Sequence, residues 1–296
     1  MPELPEVETV RRGLEPAFSG ARIERVTLNR PDLRYPLPER FVERLVGRRP
    51  MSLDRRGKYL VAPLDSGESL VMHLGMSGRF SVKSNAALEA NANRRAVDPF
   101  YYATEGDKAH NHVVFDFTGG ALGGSTLVTY NDPRRFGFMD LVATDAVDRC
   151  RHFEKMGPEP LSSGFNDAYF KAALRNKKTS IKAAILDQSV IAGVGNIYAC
   201  EALYRAKISP RRLASSVAGV RSDRLRAAIV EVLQDAIAAG GSTLRDFAAA
   251  DGALGYFQHR FDVYDRAGEG CRCCDARIKK LVQSNRSTFY CGGCQR

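Results

Sequence analysis

Long hydrophobic runs are missing from this 296-residue chain. No stretch of about 18 apolar residues occurs, which excludes a membrane-crossing helix. The opening segment MPELPEVETV is acidic and has no apolar core, so no secretory signal is expected and a cytoplasmic location is. Internal repeats are also lacking, which argues against a repeat array. Cysteine is sparse outside one place. Cys150 and Cys200 stand alone and read as buried thiols, while the other five of the seven fall between Cys271 and Cys294. That distribution is a local site, not a disulfide framework.

Positive charge is present in excess, and it is lopsided. The formal net charge is +10. Residues 1–150 hold 21 Lys and Arg against 20 Asp and Glu, while residues 151–296 hold 23 against 14. Basic residues that neutralise phosphates release counterions, so a basic half is a footprint of nucleic-acid binding, although a solvated surface gives the same count.

Periodicity divides the chain in the same way. A first helix is expected after Pro5, with Val7, Val10, Leu14 and Phe18 on one face. Strand patterns then dominate to about residue 142. KYLVAPL and SLVMHL read as a hairpin across DSGE, and HVVFDF pairs with STLVTY across TGGALGG. One helix, about Pro38 to Val46, interrupts them. Residues 84–109 have no clean period and read as a long surface loop. From about 150 the pattern is helical, ending in a helix with Ser222 as N-cap and Gly240-Gly241 as stop.

The clustered cysteines are paired. Cys271 and Cys274 form one C-x-x-C knuckle, Cys291 and Cys294 another, with sixteen residues between. That arrangement suits one tetrahedral zinc held by four thiolates. A closed four-cysteine site leaves no position for water, so the zinc is structural and Cys273 is spare. The intervening RIKKLVQSNRSTFY is basic and strand-prone, fit to present a two-stranded ribbon to DNA.

Pro2 follows the initiator methionine, and a small second residue permits removal of Met1. The exposed secondary amine would have a pKa of roughly 8, with a neutral fraction able to attack a carbonyl-like carbon. The resulting iminium is an electron sink. By itself a Met-Pro start is commonplace.

Its company is not. MPELPEVETVRRGL, RRGKYL, HLGMSG, NDPRRFG, GVGNIYACEALYRAKISP, DGALGYF and the four-cysteine ribbon occur in one order. Together they resemble the bacterial formamidopyrimidine-DNA glycosylase family (MutM-type, also called DNA-(apurinic or apyrimidinic site) lyase), over nearly the whole chain. The opening Pro-Glu-Leu-Pro-Glu is more similar to this branch than to endonuclease VIII, which has Gly in place of that Leu.

The resemblance implies an α+β fold of two domains: an N-terminal β-sandwich with a flanking helix, and a C-terminal helix-two-turn-helix bundle ending in a zinc ribbon. The expected boundaries are 1–150, 151–262 and 263–296, with DNA in the cleft between the domains. It further implies that Pro2 attacks C1′ of a damaged nucleotide, forming a Schiff base, and that Glu3 is the general acid/base. Glu6, one turn on, is either a catalytic partner or a first-turn carboxylate on the helix dipole. Lys58 matches a lysine that contacts phosphate and assists β-elimination. Arg286 matches an arginine that binds the flanking phosphate and supports δ-elimination. Met76, Arg134 and Phe136 match the set that fills the hole left by the extruded nucleotide. Asn196, Lys178 and His110 match other DNA contacts. GGSTLRDFAAADGALGYF resembles a loop that closes on the extruded base, with Ala-Ala-Ala where relatives often carry a polar residue. The implied activity is a bifunctional glycosylase/AP lyase acting on 8-oxoguanine and formamidopyrimidines, with β,δ-elimination, one structural zinc and no catalytic cofactor. Its partner is damaged duplex DNA, with no membrane, and the working form a nucleoid-associated monomer. Two other readings stand: a zinc-ribbon damage sensor without catalysis, and an endonuclease VIII-like enzyme for oxidised pyrimidines.

Overall fold

The computed structural model describes residues 2–84, 107–242 and 256–296. Most of the irregular segment 84–109, and residues 243–255 of the loop following Ser242, lie outside the described residues. Two compact units result. One comprises residues 2–84, 107–153 and 240–242; the other comprises 154–239 and 256–296.

The first unit contains α1 (Leu4–Phe18), β1 (Ala21–Leu28), α2 (Phe41–Leu45), β2 (Asp54–Arg56), β3 (Tyr59–Pro63), β4 (Glu68–His73), β5 (Arg79–Ser84), β6 (Asn111–Gly119), β7 (Ser125–Asn131) and β8 (Phe138–Ala143). They build two antiparallel four-stranded sheets, ordered β1-β6-β7-β5 and β2-β3-β4-β8. Both expected hairpins form. Tyr59 to Pro63 pair with His73 to Ser69, and Gly67 supplies the left-handed turn residue at φ 83°. β6 and β7 pair across the glycine-rich turn. The sheets share one core with α1, whose Val7, Val10, Leu14 and Phe18 are all at most 1% exposed. Phe18 packs its ring on Phe117 at 4.8 Å between centroids.

Helix boundaries differ from expectation for local reasons. α1 begins at Leu4, before Pro5, because Glu3 serves as N-cap and a proline in the first turn has no intrahelical N–H to lose. α2 is only Phe41–Leu45, because Arg40 is left-handed (φ 54°) and ends any helix reaching back to Pro38. Cys150, expected buried, is half-buried after a 3₁₀ turn; Cys200 is buried.

The second unit contains α3 (Asp167–Arg175), α4 (Ile181–Leu186), α5 (Asn196–Arg205), α6 (Val220–Ala238), and the hairpin of β9 (Ile278–Gln283) with β10 (Arg286–Cys291). Asn166 caps α3 through Tyr169 N at 2.9 Å, and Ser180 caps α4 through Ala183 N at 3.2 Å. Ser222 is not the N-cap of α6. Gly219 holds that position, and the Ser222 hydroxyl donates back to the Gly219 carbonyl, so it meets no orphan amide. The Gly240-Gly241 stop is as expected, both residues at positive φ.

α5 is buried almost all round. Its Glu201, 1% exposed, accepts the backbone amides of Asp262, Val263 and Tyr264 at 2.8–3.0 Å, fixing the chain that leads into the hairpin. Burial raises its pKa, and the three amides work against that rise. Glu201→Ala would orphan all three donors, so a loss of about 3 kcal/mol is expected in urea unfolding. Glu201→Gln keeps one acceptor oxygen and should lose less.

Candidate functional site

Pro2 is buried and precedes Glu3, the extended N-cap of α1. Glu3 and Glu6 behind it are 3% and 2% exposed and form a reciprocal capping box, with Glu3 N donating to Glu6 Oε2 at 2.9 Å. The other Glu6 oxygen accepts Ser242 N at 2.8 Å and Ser242 Oγ at 2.9 Å. Gly241, at φ 78°, lies so close that a Cβ there would sit 3.2 Å from Glu6 Oε1. Glu6 therefore does more than complement a helix dipole: it joins the N-terminus to the segment entering residue 242.

Lys58 is 7% exposed at the β2–β3 turn, beside Gly57 at φ 58°. The turn is tied to α1 by Arg55, which donates to Gly57 O at 3.0 Å and to Glu8 Oε2 at 3.2 Å. Burial works against the charge of Glu8, but hydrogen bonds from Arg11 and Arg12 outweigh it and hold the carboxyl below the ordinary range.

Two loops of the same unit bring Met76, Arg134 and Phe136 together. They line a groove of about 510 Å³ with Leu33, Arg34, His73, Gly75 and Arg135. Phe136 is 42% exposed and Met76 half-buried, so neither is core. The Arg134 guanidinium lies 4.9 Å from the Phe136 ring centre. Pro133 opens the turn, Arg135 N donates to Asp132 O at 3.2 Å, and Arg135 takes a strained φ of 54°. Gly75 has no room for a side chain, because one would overlap the backbone of Phe136 and Gly137. The loops touch main chain to main chain. His110 is half-buried in a 3₁₀ turn over Lys108–His110.

Sequence reading missed Arg34, Arg135 and His73. The tandem arginine and the position of His73 three residues before Met76 were the available signals. His73 stacks on Phe138 at 5.3 Å and its Nδ1 accepts Gly75 N at 3.0 Å. Burial, then the charge of Lys58, lower its pKa to about 4.

The second unit carries the remaining residues. Arg286 is exposed at the start of β10, following a turn in which Ser284 and Asn285 both have positive φ. Asn196 is the first residue of α5, and its Nδ2 donates to Ser287 O at 2.9 Å. Lys182, fully buried, reaches the same carbonyl at 3.2 Å and Thr288 Oγ1 at 2.7 Å. The hairpin bearing Arg286 is thus pinned from α4 and α5, a role for Lys182 that the apolar run IKAAIL hid. Lys178 is exposed in the loop before α4.

The sulfurs of Cys271, Cys274, Cys291 and Cys294 lie within 4.8 Å of one another. A tetrahedral zinc–thiolate site puts sulfurs roughly 3.8 Å apart, and Cys271 to Cys294 measures 3.8 Å, Cys274 to Cys291 3.5 Å. The four residues present fit a structural zinc, and Cys273 is exposed beside them.

The His73 pKa carries a signed consequence. The unfolded chain takes up this proton near pH 6.5, the folded one only near 4, so between those values the unfolded state binds more protons. Stability from this group is fully present above pH 6.5 and declines as pH falls towards 4. Denaturant titrations at fixed pH should show a steeper decline for the wild type than for His73→Gln over that window; equal slopes would contradict the shift.

Comparison with known proteins agrees with this geometry. Residues 1–139 match the Formamidopyrimidine-DNA glycosylase N-terminal domain, and residues 156–248 the Formamidopyrimidine-DNA glycosylase H2TH domain. The formamidopyrimidine-DNA glycosylase of Caulobacter sp. (strain K31) is 55% identical over 298 residues, covering 100% of both chains. The crystal structure of the MutM (Fpg) protein from Thermus thermophilus superposes with a TM-score of 0.81 at 36% identity, covering 99% of this chain and 98% of that one. The Lactococcus lactis Fpg in complex with DNA containing an abasic site gives 0.82 at 32% identity, with 100% of each chain covered. The chain belongs to the formamidopyrimidine-DNA glycosylase (Fpg/MutM) family.

Proposed function

We propose that the chain is a bifunctional DNA glycosylase and AP lyase that removes 8-oxoguanine and formamidopyrimidines from duplex DNA. The carrying observation is Pro2, set at the mouth of α1 with two buried carboxylates on the next four residues. Once Met1 is removed, the Pro2 nitrogen attacks C1′ of the extruded nucleotide. The glycosidic bond breaks, and Glu3 delivers the proton that the sugar or the departing base needs. The amine nitrogen then loses its proton and its lone pair opens the sugar ring: the C1′–O4′ bond breaks, O4′ takes up a proton, and an iminium forms on C1′. That electron sink acidifies C2′, so proton loss there expels the 3′ phosphate, and a second elimination expels the 5′ phosphate.

Lys58 and Arg286 hold the phosphates on which those eliminations depend, Arg286 through its planar fork. Met76, Arg134 and Phe136 fill the vacated space, with Phe136 as wedge and Arg134 reading the unpaired base. His110, Lys178 and Asn196 add backbone contacts. Glu6 supports the site by orienting Glu3 through its main-chain amide. We assign the working regions to residues 1–150, 151–262 and 263–296.

Borohydride reduction of protein mixed with an 8-oxoguanine:C duplex should trap a covalent adduct through residue 2. No adduct, in protein whose N-terminal mass shows Met1 removed, would sink the enzyme reading and leave a damage-binding protein. Faster cleavage of thymine glycol:A than of 8-oxoguanine:C would instead favour oxidised pyrimidines.

Zinc at the four cysteines would supply fold and not chemistry, by holding the hairpin that bears Arg286. One zinc per chain is expected by metal analysis. Chelation should weaken DNA binding before the first unit unfolds, and binding that survives complete zinc loss would rule out this role.

A further inference from the structure

Asp132 has no exposed surface, yet its carboxylate is not paired with a cation among the described residues. One oxygen accepts the Ser77 hydroxyl at 2.6 Å. The other accepts Gly137 N at 2.8 Å and the Tyr130 hydroxyl at 3.2 Å. Ser77 Oγ in turn accepts Arg134 N at 3.2 Å. The main chain of the same residue continues the pattern. Asp132 N donates to His110 O at 3.0 Å, and Asp132 O accepts Arg135 N at 3.2 Å and bonds His112 Nε2 at 2.8 Å.

These partners are neighbours of the proposed DNA contacts. Ser77 follows Met76, Gly137 follows Phe136, and Arg134 and His110 are contacts themselves. We infer that Asp132 is a positioning residue: it registers these three loops against one another, and through them sets the choice of base opposite the lesion. The inference rests on the reading of Met76, Arg134 and Phe136 given under Proposed function.

Two features make this more than a fold requirement. Of the carboxylate's donors only the Tyr130 hydroxyl belongs to the core of α1 and the two sheets, while Ser77 and Gly137 lie in the two loops of the groove. The loops also meet at Gly75, since a side chain there would overlap the main chain of Phe136 and Gly137. A slip of one loop therefore moves the other. A wedge and a base-reading arginine act only within a narrow geometry, where a 1 Å error costs about 100-fold.

The test uses the full zinc-loaded chain as wild type, Ser77→Ala, Ser77→Thr, Asp132→Asn and Arg134→Ala. Every preparation is normalised to active sites by borohydride trapping, so unfolded protein does not count. Ser77→Ala and Asp132→Asn should raise KM on 8-oxoguanine:C by about tenfold, the scale of one lost hydrogen bond to a buried charge. They should also lower the preference for C over A opposite the lesion towards that of Arg134→Ala. Ser77→Thr, which keeps the hydroxyl, should return both to wild-type values. Suppose Arg134→Ala changes both quantities while Ser77→Ala and Asp132→Asn change neither, or Ser77→Thr behaves like Ser77→Ala. Asp132 then serves the fold alone, and the parent reading survives. If Arg134→Ala changes neither, the parent reading of the groove fails and this inference falls with it.

Discussion

A carboxylate taken out of water must be met by donors, or it destabilises whatever surrounds it. Of the buried acids among the described residues, Glu6, Asp132 and Glu201 organise this protein, with Glu3 beside the N-terminus. All three draw on main-chain amides, and Glu6 and Asp132 add hydroxyls. The amides they take belong to loops and chain entries, where no helix or strand offers a partner. A buried main-chain N–H without a partner is itself expensive. Acid and amides therefore satisfy each other, and each pairing ties a loop to the scaffold.

This explains why the candidate functional side chains, which sit mostly outside regular structure, have fixed bases. The sheets and α1 supply the cohesion, through the core around Phe18, Phe115 and Phe117. That core does not decide where Met76 or Arg134 points. Asp132 does so in the first unit, and Lys182 with Asn196 does the equivalent for Arg286 in the second, through the Ser287 carbonyl. Partly exposed ion pairs are a weaker means to the same end. Those of Arg12 or Arg25 are worth about 0–1 kcal/mol each, whereas removing one partner of a buried charged cluster costs roughly 3–5 kcal/mol.

The same distinction separates what was legible in the sequence from what was not. Hairpins, the amphipathic face of α1 and the paired cysteine knuckles follow from periods and spacings of a few residues, and all are present. Arg40 shows the limit of such reading: its left-handed φ shortens α2, and nothing in the local pattern announces it. Ser222 has the right residue type for a cap but turns its hydroxyl onto a carbonyl. The buried acids were hidden by distance along the chain. Glu6 meets Ser242 across 236 residues and Asp132 meets Ser77 across 55, so no window contains both partners. Arg134 and Phe136 stand out in their motif, while nothing in the local sequence marks Asp132, beside Pro133, as the residue that ties their loop to Ser77.

The two N-terminal acids are divided by the same accounting. Glu6 uses both carboxylate oxygens on fixed donors, Glu3 N on one and Ser242 N and Oγ on the other. Those donors commit Glu6 to the join with residue 242. Glu3 is adjacent to Pro2, and its main-chain amide is the one Glu6 holds. In the proposed reaction Glu3 passes the proton, and Glu6 holds the main-chain amide from which it works. Ser242 likewise lies at a point fixed 2.8 Å from Glu6, four residues from the proposed nucleophile. One carboxylate thus fixes both the acid of the proposed reaction and the start of the segment following Ser242.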